Sequence, residues 1–301
     1  MVVDKPAGWT SHDVVGKLRR VYGTRRVGHA GTLDPMATGV LLVGVGKATR
    51  LLRFLQDTQK SYDGDVTFGV ATDTLDAEGR IVEERDVDLE LARVQNAAAA
   101  FVGEIDQVPP MVSALKVDGK KLYELAREGK EVERKARHIT VSRFDLDNWR
   151  DGVHPTATLH VDCSSGTYVR VLAQDLGLSL GVPAHLSALR RTAVGRFTLA
   201  DATPIDVIES DPAAALRPIE AAVSTLPAVS LDEREAVDIR HGRKVPWTDR
   251  IDGPHALFDG STLLAVAEPR GGALCPTIVL AAADESPRPI APSADCASPA
   301  P

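Results

Sequence analysis

Gly28-His-Ala-Gly-Thr-Leu-Asp-Pro-Met-Ala-Thr-Gly39 is the stretch of this sequence that says most about its fold and chemistry. Three glycines and a proline surround one carboxylate, Asp34, and this composition predicts a constrained loop, not the interior of a helix or a strand. Such a loop can hold Asp34 in one orientation and let the backbone of another molecule come close. The residues also allow a simpler interpretation, an Asx turn in which Asp34 accepts hydrogen bonds from nearby N–H groups.

Hydrophobic periodicity predicts helices and strands on both sides of this loop. Before it, Thr10 and Ser11 can cap a helix whose apolar residues recur every 3.6 residues and which ends at Gly23. After it we predict helices around 48–56, 90–102 and 168–178, and strands at 61–70, 139–146 and 156–163. Helices and strands that do not alternate strictly are typical of an α+β fold with a mixed or antiparallel sheet.

The composition changes near residue 223. Short strand-like segments separated by Gly and Pro then predict strands at 237–239, 255–258, 262–268 and 274–280. The sequence therefore predicts one domain over 1–222 and a small β-rich domain over 223–283. Residues 284–301 are rich in Pro, Ala and Ser, which predicts a disordered tail.

The net charge of −7 at pH 7 is unevenly distributed along the chain. Residues 1–60 and 111–200 carry net charges of +6 and +4, whereas 61–110 and 201–301 carry −9 and −8. The two basic segments either form a phosphate-facing surface or only solvate helix faces, and charge alone leaves both interpretations open. A protein in the cytoplasm, without a membrane span, is expected, because no apolar run reaches about 18 residues and the first residues lack a secretory signal.

Further motifs follow in order along the chain. They are Lys5-Pro-Ala-Gly-Trp-Thr-Ser11, Lys60-Ser-Tyr62, Thr72-Asp-Thr-Leu-Asp76, Gln107-Val-Pro-Pro-Met111, Ser113-Ala-Leu-Lys116, Gly119-Lys-Lys-Leu-Tyr-Glu-Leu-Ala-Arg-Glu-Gly129, Cys163-Ser-Ser-Gly-Thr-Tyr-Val-Arg170 and His185-Leu-Ser-Ala-Leu-Arg-Arg-Thr192. Together with the Asp34 loop they resemble the bacterial tRNA pseudouridine synthase B family over nearly all of residues 1–200. One departure is Val112, where the family commonly has tyrosine.

The resemblance implies an enzyme with a pseudouridine synthase catalytic domain, a thumb insertion at about 116–143 and a PUA-like C-terminal domain. Such an enzyme isomerises a T-loop uridine of tRNA, uridine 55, to pseudouridine without a cofactor or a metal. The base must be detached, turned and rejoined through carbon 5, so it must first be flipped out of the RNA. The implied partner is the T-arm of tRNA, and a monomer that needs no guide RNA, protein partner or membrane is expected.

The resemblance also implies catalytic roles for Asp34, Tyr62 and Arg170. Asp34 corresponds to the family nucleophile, and addition to uracil carbon 6, addition to the ribose anomeric carbon and elimination through a glycal all remain open. Arg170 corresponds to the arginine that pairs with this carboxylate, for which a guanidinium fork is well suited. Tyr62 corresponds to a tyrosine that stacks on the uracil and helps to move a proton.

Other residues correspond to substrate-binding or supporting positions of the family. His29 matches a residue that fills the space left by the flipped base, although a structural hydrogen-bonding role is the alternative. Leu189 matches an apolar residue that lines the uracil pocket, although a plain core role is equally open, and Tyr168 is expected to bind the substrate. Basic side chains of the thumb would contact phosphates, unless the segment is only a solvated hairpin; they are Lys116, Lys120 and Lys121. Lys5 and Pro6 are expected to support the Asp34 loop.

Two competing functions remain open. The chain can act chiefly as a tRNA-folding chaperone, with catalysis secondary, or it can be a guide-RNA-dependent relative that works in a multiprotein particle. The resemblance of the thumb segment favours the stand-alone enzyme over the particle. The presence of Asp34, Tyr62 and Arg170 favours the enzyme over the chaperone.

Overall fold

The computed structural model describes residues 1–56, 58–111, 132–249 and 251–280, together with the backbone of 116–117 and 120–121. The chain divides into two compact units, one from Met1 to Arg217 and one that begins at Pro218. This division lies a few residues before the boundary expected between 222 and 223. The reason is a short 3₁₀ helix, Ile219–Val223, which contacts a strand of the second unit, Thr262–Arg270.

In the described residues, the first unit contains a ten-stranded mixed sheet and two separate two-stranded sheets. The strands of this unit are β1 (Val2–Lys5), β2 (Val27–Ala30), β3 (Thr38–Val45), β4 (Lys60–Phe68), β5 (Val70–Thr72), β6 (Ile81–Glu84), β7 (Gly103–Gln107), β8 (Lys116–Val117), β9 (Lys120–Lys121), β10 (Arg137–Arg150), β11 (Thr156–Cys163), β12 (Ala184–Val194), β13 (Phe197–Thr198) and β14 (Thr203–Pro204). The strand order of the large sheet is β14-β1-β3-β12-β4-β11-β10-β7, with β2 beside β3 and β13 beside β12, and the small sheets are β5–β6 and β8–β9. Two of the pairings, β1 with β14 and β3 with β12, are parallel.

The helices of this unit pack against the sheet, and most of them share its core. They are α1 (Ser11–Val21), α2 (Arg53–Gln56), α3 (Leu91–Ala99), α4 (Val169–Ser179) and α5 (Ile205–Ser210), with 3₁₀ helices at Gly46–Leu51 and Leu199–Asp201. Helix α1 begins where predicted, because the side chains of Thr10 and Asp13 each accept a hydrogen bond from the other's backbone N–H. Leu18 and Leu172 are fully buried in the shared core, and burial of each leucine contributes about 1.5–3 kcal/mol. The predicted α+β class with a mixed sheet is confirmed.

The second unit is a smaller β domain. Its strands are β15 (Ala228–Ser230), β16 (Val245–Pro246), β17 (His255–Asp259), β18 (Thr262–Arg270) and β19 (Ala273–Val279), and one helix, α6 (Glu233–Arg240), packs on them. The sheet order is β15-β17-β18-β19-β16. Helix and sheet share a core that includes Ile239, Leu257 and Leu274. The predicted β-rich second domain is thus confirmed, whereas the tail predicted at 284–301 lies outside the described residues.

Three local predictions differ from the structure. The strand predicted at 237–239 is wrong, because these residues lie in α6, which begins with a capping box between Asp232 and Glu235. The helix predicted at 48–56 is split between a 3₁₀ helix and the single turn of α2. The last part of the predicted thumb, from Arg137 onwards, belongs to β10 and pairs with β7 and β11.

Within the described ranges, none of the helices is both long enough and apolar enough to cross a membrane.

Candidate active site

A cavity of about 490 Å³ lies beside the loop that joins β2 to β3. This volume is within the usual range for small-molecule sites. The loop, β2, β4, β12 and the start of α4 all contribute to its wall, so segments far apart in sequence meet here. Six of the residues expected from the sequence line it: His29, Asp34, Tyr62, Tyr168, Arg170 and Leu189.

The backbone of the Asp34 loop is held from several sides. The Ser11 hydroxyl, at the start of α1, accepts from the Leu33 N–H at 2.9 Å and donates to the Leu33 carbonyl at 3.2 Å. The Pro35 carbonyl accepts from the Lys5 ammonium at 3.2 Å and from the Gly8 N–H at 2.9 Å. Because hydrogen bonds hold the backbone of both neighbours of Asp34, the position from which its side chain projects is fixed.

Lys5 is fully buried beneath this loop. Its ammonium also donates to the carbonyls of Pro6, at 2.9 Å, and Trp9. Burial is the largest influence on this group and lowers the pKa of Lys5 to about 8. Lys5 therefore lies outside the cavity wall and acts on the loop backbone.

Asp34 and Arg170 form an ion pair at the cavity. The Arg170 Nε atom lies 3.0 Å from Asp34 Oδ2. Arg170 is in the first turn of α4 and its side chain is only 4% exposed, whereas about a third of the Asp34 side chain is exposed, towards the cavity. A molecule in the cavity can therefore reach the carboxylate but not the far side of the guanidinium.

A second carboxylate, Asp76, holds the other end of the Arg170 guanidinium. Arg170 Nη1 contacts Asp76 Oδ2 at 3.2 Å and donates to the Thr74 carbonyl at 2.9 Å. Asp76 is itself fixed by the Thr74 hydroxyl, which donates to Asp76 Oδ1 at 2.6 Å. The preceding residue, Leu75, has a left-handed φ of +67°, which is unusual for leucine and indicates a tightly constrained turn.

The sequence motifs do not identify Asp76 as a site residue, although it ends the motif Thr72–Asp76. The sequence feature that could have identified Asp76 is the motif Thr72-Asp-Thr-Leu-Asp76, but it contains two carboxylates and does not show which of them is buried.

Burial dominates the electrostatics of Asp34. It raises the pKa of this carboxyl above its ordinary value of 3.8, while the positive charge of Arg170 acts in the opposite direction and the negative charge of Asp76 adds to the rise. Lys5 and Arg191 lower the Asp34 pKa to a smaller extent. Ionised Asp34 is thus a carboxylate partly deprived of water, a state suited to a nucleophile or a general base.

Tyr62 on β4 and Arg191 on β12 are cross-strand neighbours in the cavity wall. Tyr62 is 7% exposed, and burial raises its pKa, although a hydrogen bond with Arg191 and the charge of that residue oppose the rise. The hydroxyl is therefore neutral at physiological pH. Arg191 belongs to the motif His185–Thr192, which does not by itself identify it as a site residue.

The Tyr168 side of the cavity is fixed by a buried amide, Gln107 at the end of β7. Gln107 Oε1 accepts from the Tyr168 N–H at 2.8 Å, and Gln107 Nε2 donates to the Tyr168 carbonyl at 3.1 Å. Tyr168 is the N-cap residue of α4, so this pair of hydrogen bonds also fixes the start of the helix that carries Arg170.

His29 is half-buried on β2, and Leu189 on β12 is 9% exposed. Burial is the main cause that lowers the pKa of His29, so its imidazole is neutral at physiological pH. Its Nδ1 atom is buried and has no hydrogen-bond partner among the described residues. Lys116 pairs with Lys121 in the β8–β9 hairpin, but the side chains of Lys116, Lys120 and Lys121 lie outside the described part.

Three family models match consecutive parts of the chain. One described as "TruB family pseudouridylate synthase (N terminal domain)" matches residues 19–169, and one described as "tRNA pseudouridylate synthase B C-terminal domain" matches 170–224. A third, "tRNA Pseudouridine synthase II, C terminal", matches 226–281. Together these models match most of the chain.

Among similar proteins, tRNA pseudouridine synthase B of Thermobifida fusca (strain YX) is 48% identical over 93% of this chain and 98% of its own length. That of Mycobacterium sp. (strain KMS) is 50% identical over 87% of this chain and 90% of its own. A crystal structure of a Cbf5-Nop10-Gar1 complex superposes with a TM-score of 0.71 at 25% identity, covering 93% of this chain and 84% of that chain. From the family models and these identities, the chain belongs to the TruB family of tRNA pseudouridine synthases, isomerases that convert uridine in tRNA to pseudouridine.

Proposed function

We propose that the enzyme acts on uridine 55 in the T-loop of tRNA and that Asp34 carries the chemistry. The main support for this proposal is the ion pair in which Arg170 Nε lies 3.0 Å from Asp34 Oδ2. The Asp34 carboxylate is open to the cavity, whereas the Arg170 guanidinium is buried. Arg170 supports ionised Asp34 where burial alone would favour the protonated acid. The carboxylate is thereby available as a nucleophile or a base at neutral pH.

The reaction requires no net gain or loss of atoms from the nucleotide. The bond between ribose C1′ and uracil N1 breaks, a bond from C1′ to C5 forms, the C5 proton leaves and N1 gains a proton. Asp34 can add to uracil C6, add to C1′, or remove a ribose proton so that the base leaves by elimination. All three paths use the same ionised carboxylate, and the Tyr62 hydroxyl would help with the proton transfer that follows reattachment.

We further propose that the uridine enters the cavity by flipping out of the T-loop. A stacked base is out of reach of a carboxylate inside a cavity of this kind, and extrusion costs least from a loop. Tyr62 and Leu189 offer flat and apolar surfaces for the uracil. His29, neutral and half-buried at the cavity, offers a flat ring that can replace the missing base in the stack.

We propose that a single copy of the chain acts on the T-arm without a guide RNA or a partner protein. The proposal is supported by 48% identity, over 93% of this chain, to a protein named as tRNA pseudouridine synthase B. The proposed thumb carries Lys116, Lys120 and Lys121, whose side chains would contact the RNA phosphates. Affinity for the RNA is then expected to fall as the salt concentration rises.

The direct test is conversion of an unmodified T-arm stem-loop by the purified chain alone. We expect the loop uridine that corresponds to position 55 to become pseudouridine, as detected by carbodiimide labelling and primer extension, and a stem-loop with cytidine there to remain unlabelled. Tight binding without conversion would contradict the proposal and favour a tRNA-folding chaperone. Conversion only after a guide RNA or other proteins are added would favour the particle-bound alternative.

Replacing Tyr62 by Phe is expected to preserve T-arm binding within about twofold and to lower the single-turnover rate by at least ~100-fold. The ring that contacts the uracil remains, whereas the hydroxyl that moves the proton is lost. Filter binding and single-turnover conversion with enzyme in excess measure the two effects separately. A parallel loss of binding and rate would instead mean that Tyr62 serves folding or binding.

A further inference from the structure

Arg191 on β12 is a buried cation whose side chain reaches the loop on both sides of Asp34. It is 1% exposed and, among the residues that the structure describes, is the largest fully buried side chain. Its Nη2 and Nη1 atoms donate to the carbonyls of Gly31, at 3.1 Å, and Thr32, at 3.3 Å. Its Nε atom donates to the carbonyl of Val40 at 2.7 Å, in β3, beyond the other end of the loop.

The backbone of Arg191 also contacts this loop. Arg191 pairs with Gly39 in the parallel β3–β12 ladder, and a Cβ atom at Gly39 would lie only 2.2 Å from the Arg191 carbonyl oxygen. Gly39 has a φ of +98°, which only glycine adopts without strain. Both the backbone and the side chain of Arg191 therefore fix the end of the Asp34 loop.

The charge of Arg191 is not needed for such a clamp. Within the described part of the chain it forms no ion pair with a carboxylate, and apart from a hydrogen bond with the Tyr62 hydroxyl its donors meet backbone carbonyls. Removing a charge from water without an acidic partner costs free energy. A neutral donor could bind the same carbonyls with a smaller desolvation cost. Arg191 also lines the cavity that contains Asp34 and Tyr62, so its charge acts where the reaction takes place.

We propose that Arg191 is a positioning residue for the reaction, which clamps the Asp34 loop and adds its positive charge to that of Arg170 beside Asp34. The charge has two uses. It favours ionised Asp34, and it favours the negative charge that uracil carries when its bond to C1′ has broken and N1 has kept the electron pair. This inference rests on the proposed role of Asp34.

A pH profile separates the charge of Arg191 from its function as a clamp. The charged groups that act on Asp34 are Arg170 on α4, Asp76 and Glu78 before β6, Lys5 on β1 and Arg191 on β12, and Lys60 and Arg137 line the same cavity. Removing one of the cations makes ionisation of Asp34 harder. The acid limb of the rate profile, where activity falls as Asp34 gains a proton, must then move to higher pH.

The experiment compares Arg191→Gln and Arg191→Lys in single-turnover conversion of the T-arm stem-loop across the acid pH range. We expect Arg191→Gln to lower the plateau rate ~10- to 100-fold and to move the acid limb up by about 0.5–1 pH unit. Arg191→Lys, which keeps the charge but not the planar fork, should lose rate without moving the limb. Arg190→Gln is the matched control, because Arg190 is 41% exposed, contacts Asp4 and Thr38, and does not line this cavity.

An acid limb that stays in place in a folded Arg191→Gln protein would overturn the inference, since Arg191 would then be a clamp only. A rate within threefold of wild type would also overturn it. If Arg191→Gln does not fold, the pH profile of Arg191→Lys is the test. This variant retains the charge, so a shift of its acid limb would contradict the proposed role of the charge. Failure of the wild-type enzyme to convert the stem-loop would instead overturn the proposed function.

Discussion

Replacing Asp34 by Asn is expected to lower the single-turnover rate of pseudouridine formation at least ~10⁴-fold, because the variant has neither a nucleophilic oxygen nor a base at the cavity. Asparagine has nearly the same shape, so T-arm binding should stay within about threefold of wild type. The measurement is single-turnover conversion with enzyme in excess, with binding determined on the same RNA. Residual conversion within 100-fold of wild type would mean that another group carries the chemistry.

The Asp34→Asn protein should also remain folded. The pKa of Asp34 is higher in the folded protein than its ordinary value, because burial outweighs the cations around it. A carboxyl of this kind destabilises the fold at pH values above its folded pKa, and this cost disappears as the pH falls below the unfolded value. At pH 7 the neutral amide should therefore melt at the wild-type temperature or above it. Asp63→Asn is the matched control, since Asp63 is exposed on the sheet and contacts His160, so its rate should not change.

Replacing Arg170 by Lys is expected to lower the single-turnover rate at least ~100-fold although the charge is retained. Arg170 holds Asp34 through Nε and Asp76 through Nη1, and it also donates to the Thr74 carbonyl. A single ammonium cannot occupy both positions of the guanidinium, and a buried lysine loses its proton more readily. Near-wild-type conversion would show that the pairing is unnecessary.

Asp76→Asn tests the same arrangement from its other end. The amide keeps the size of Asp76 but leaves Arg170 with one carboxylate, and we expect a rate loss of about tenfold, smaller than that of Arg170→Lys. Thermal melting distinguishes an effect on the site from loss of the fold. An equal loss of rate in Asp76→Asn and Asp34→Asn would mean that Asp76 takes part in the chemistry itself.

The sequence by itself was sufficient for features that depend on neighbours along the chain. Thr10 and Ser11 predict the start of α1, and alternation along 61–70 predicts a strand that the structure shows as β4, because caps and period-2 patterns are local. Local patterns also failed where they were short. Val237 and Ile239 suggested a strand, although the capping box of Asp232 and Glu235 marks a helix.

Only the tertiary structure decided which side chains surround Asp34. Asp76 and Arg170 are in contact although they are 94 residues apart in the sequence, and Val40 and Arg191 are 151 residues apart. No local sequence pattern predicts contacts between residues so far apart. The motifs named Asp34, Tyr62 and Arg170 as candidates, but the strand order that puts β12 between β3 and β4 is what brings Arg191 to the loop. Burial then sets the pKa of the carboxyl, and burial arises only when all of these segments pack together.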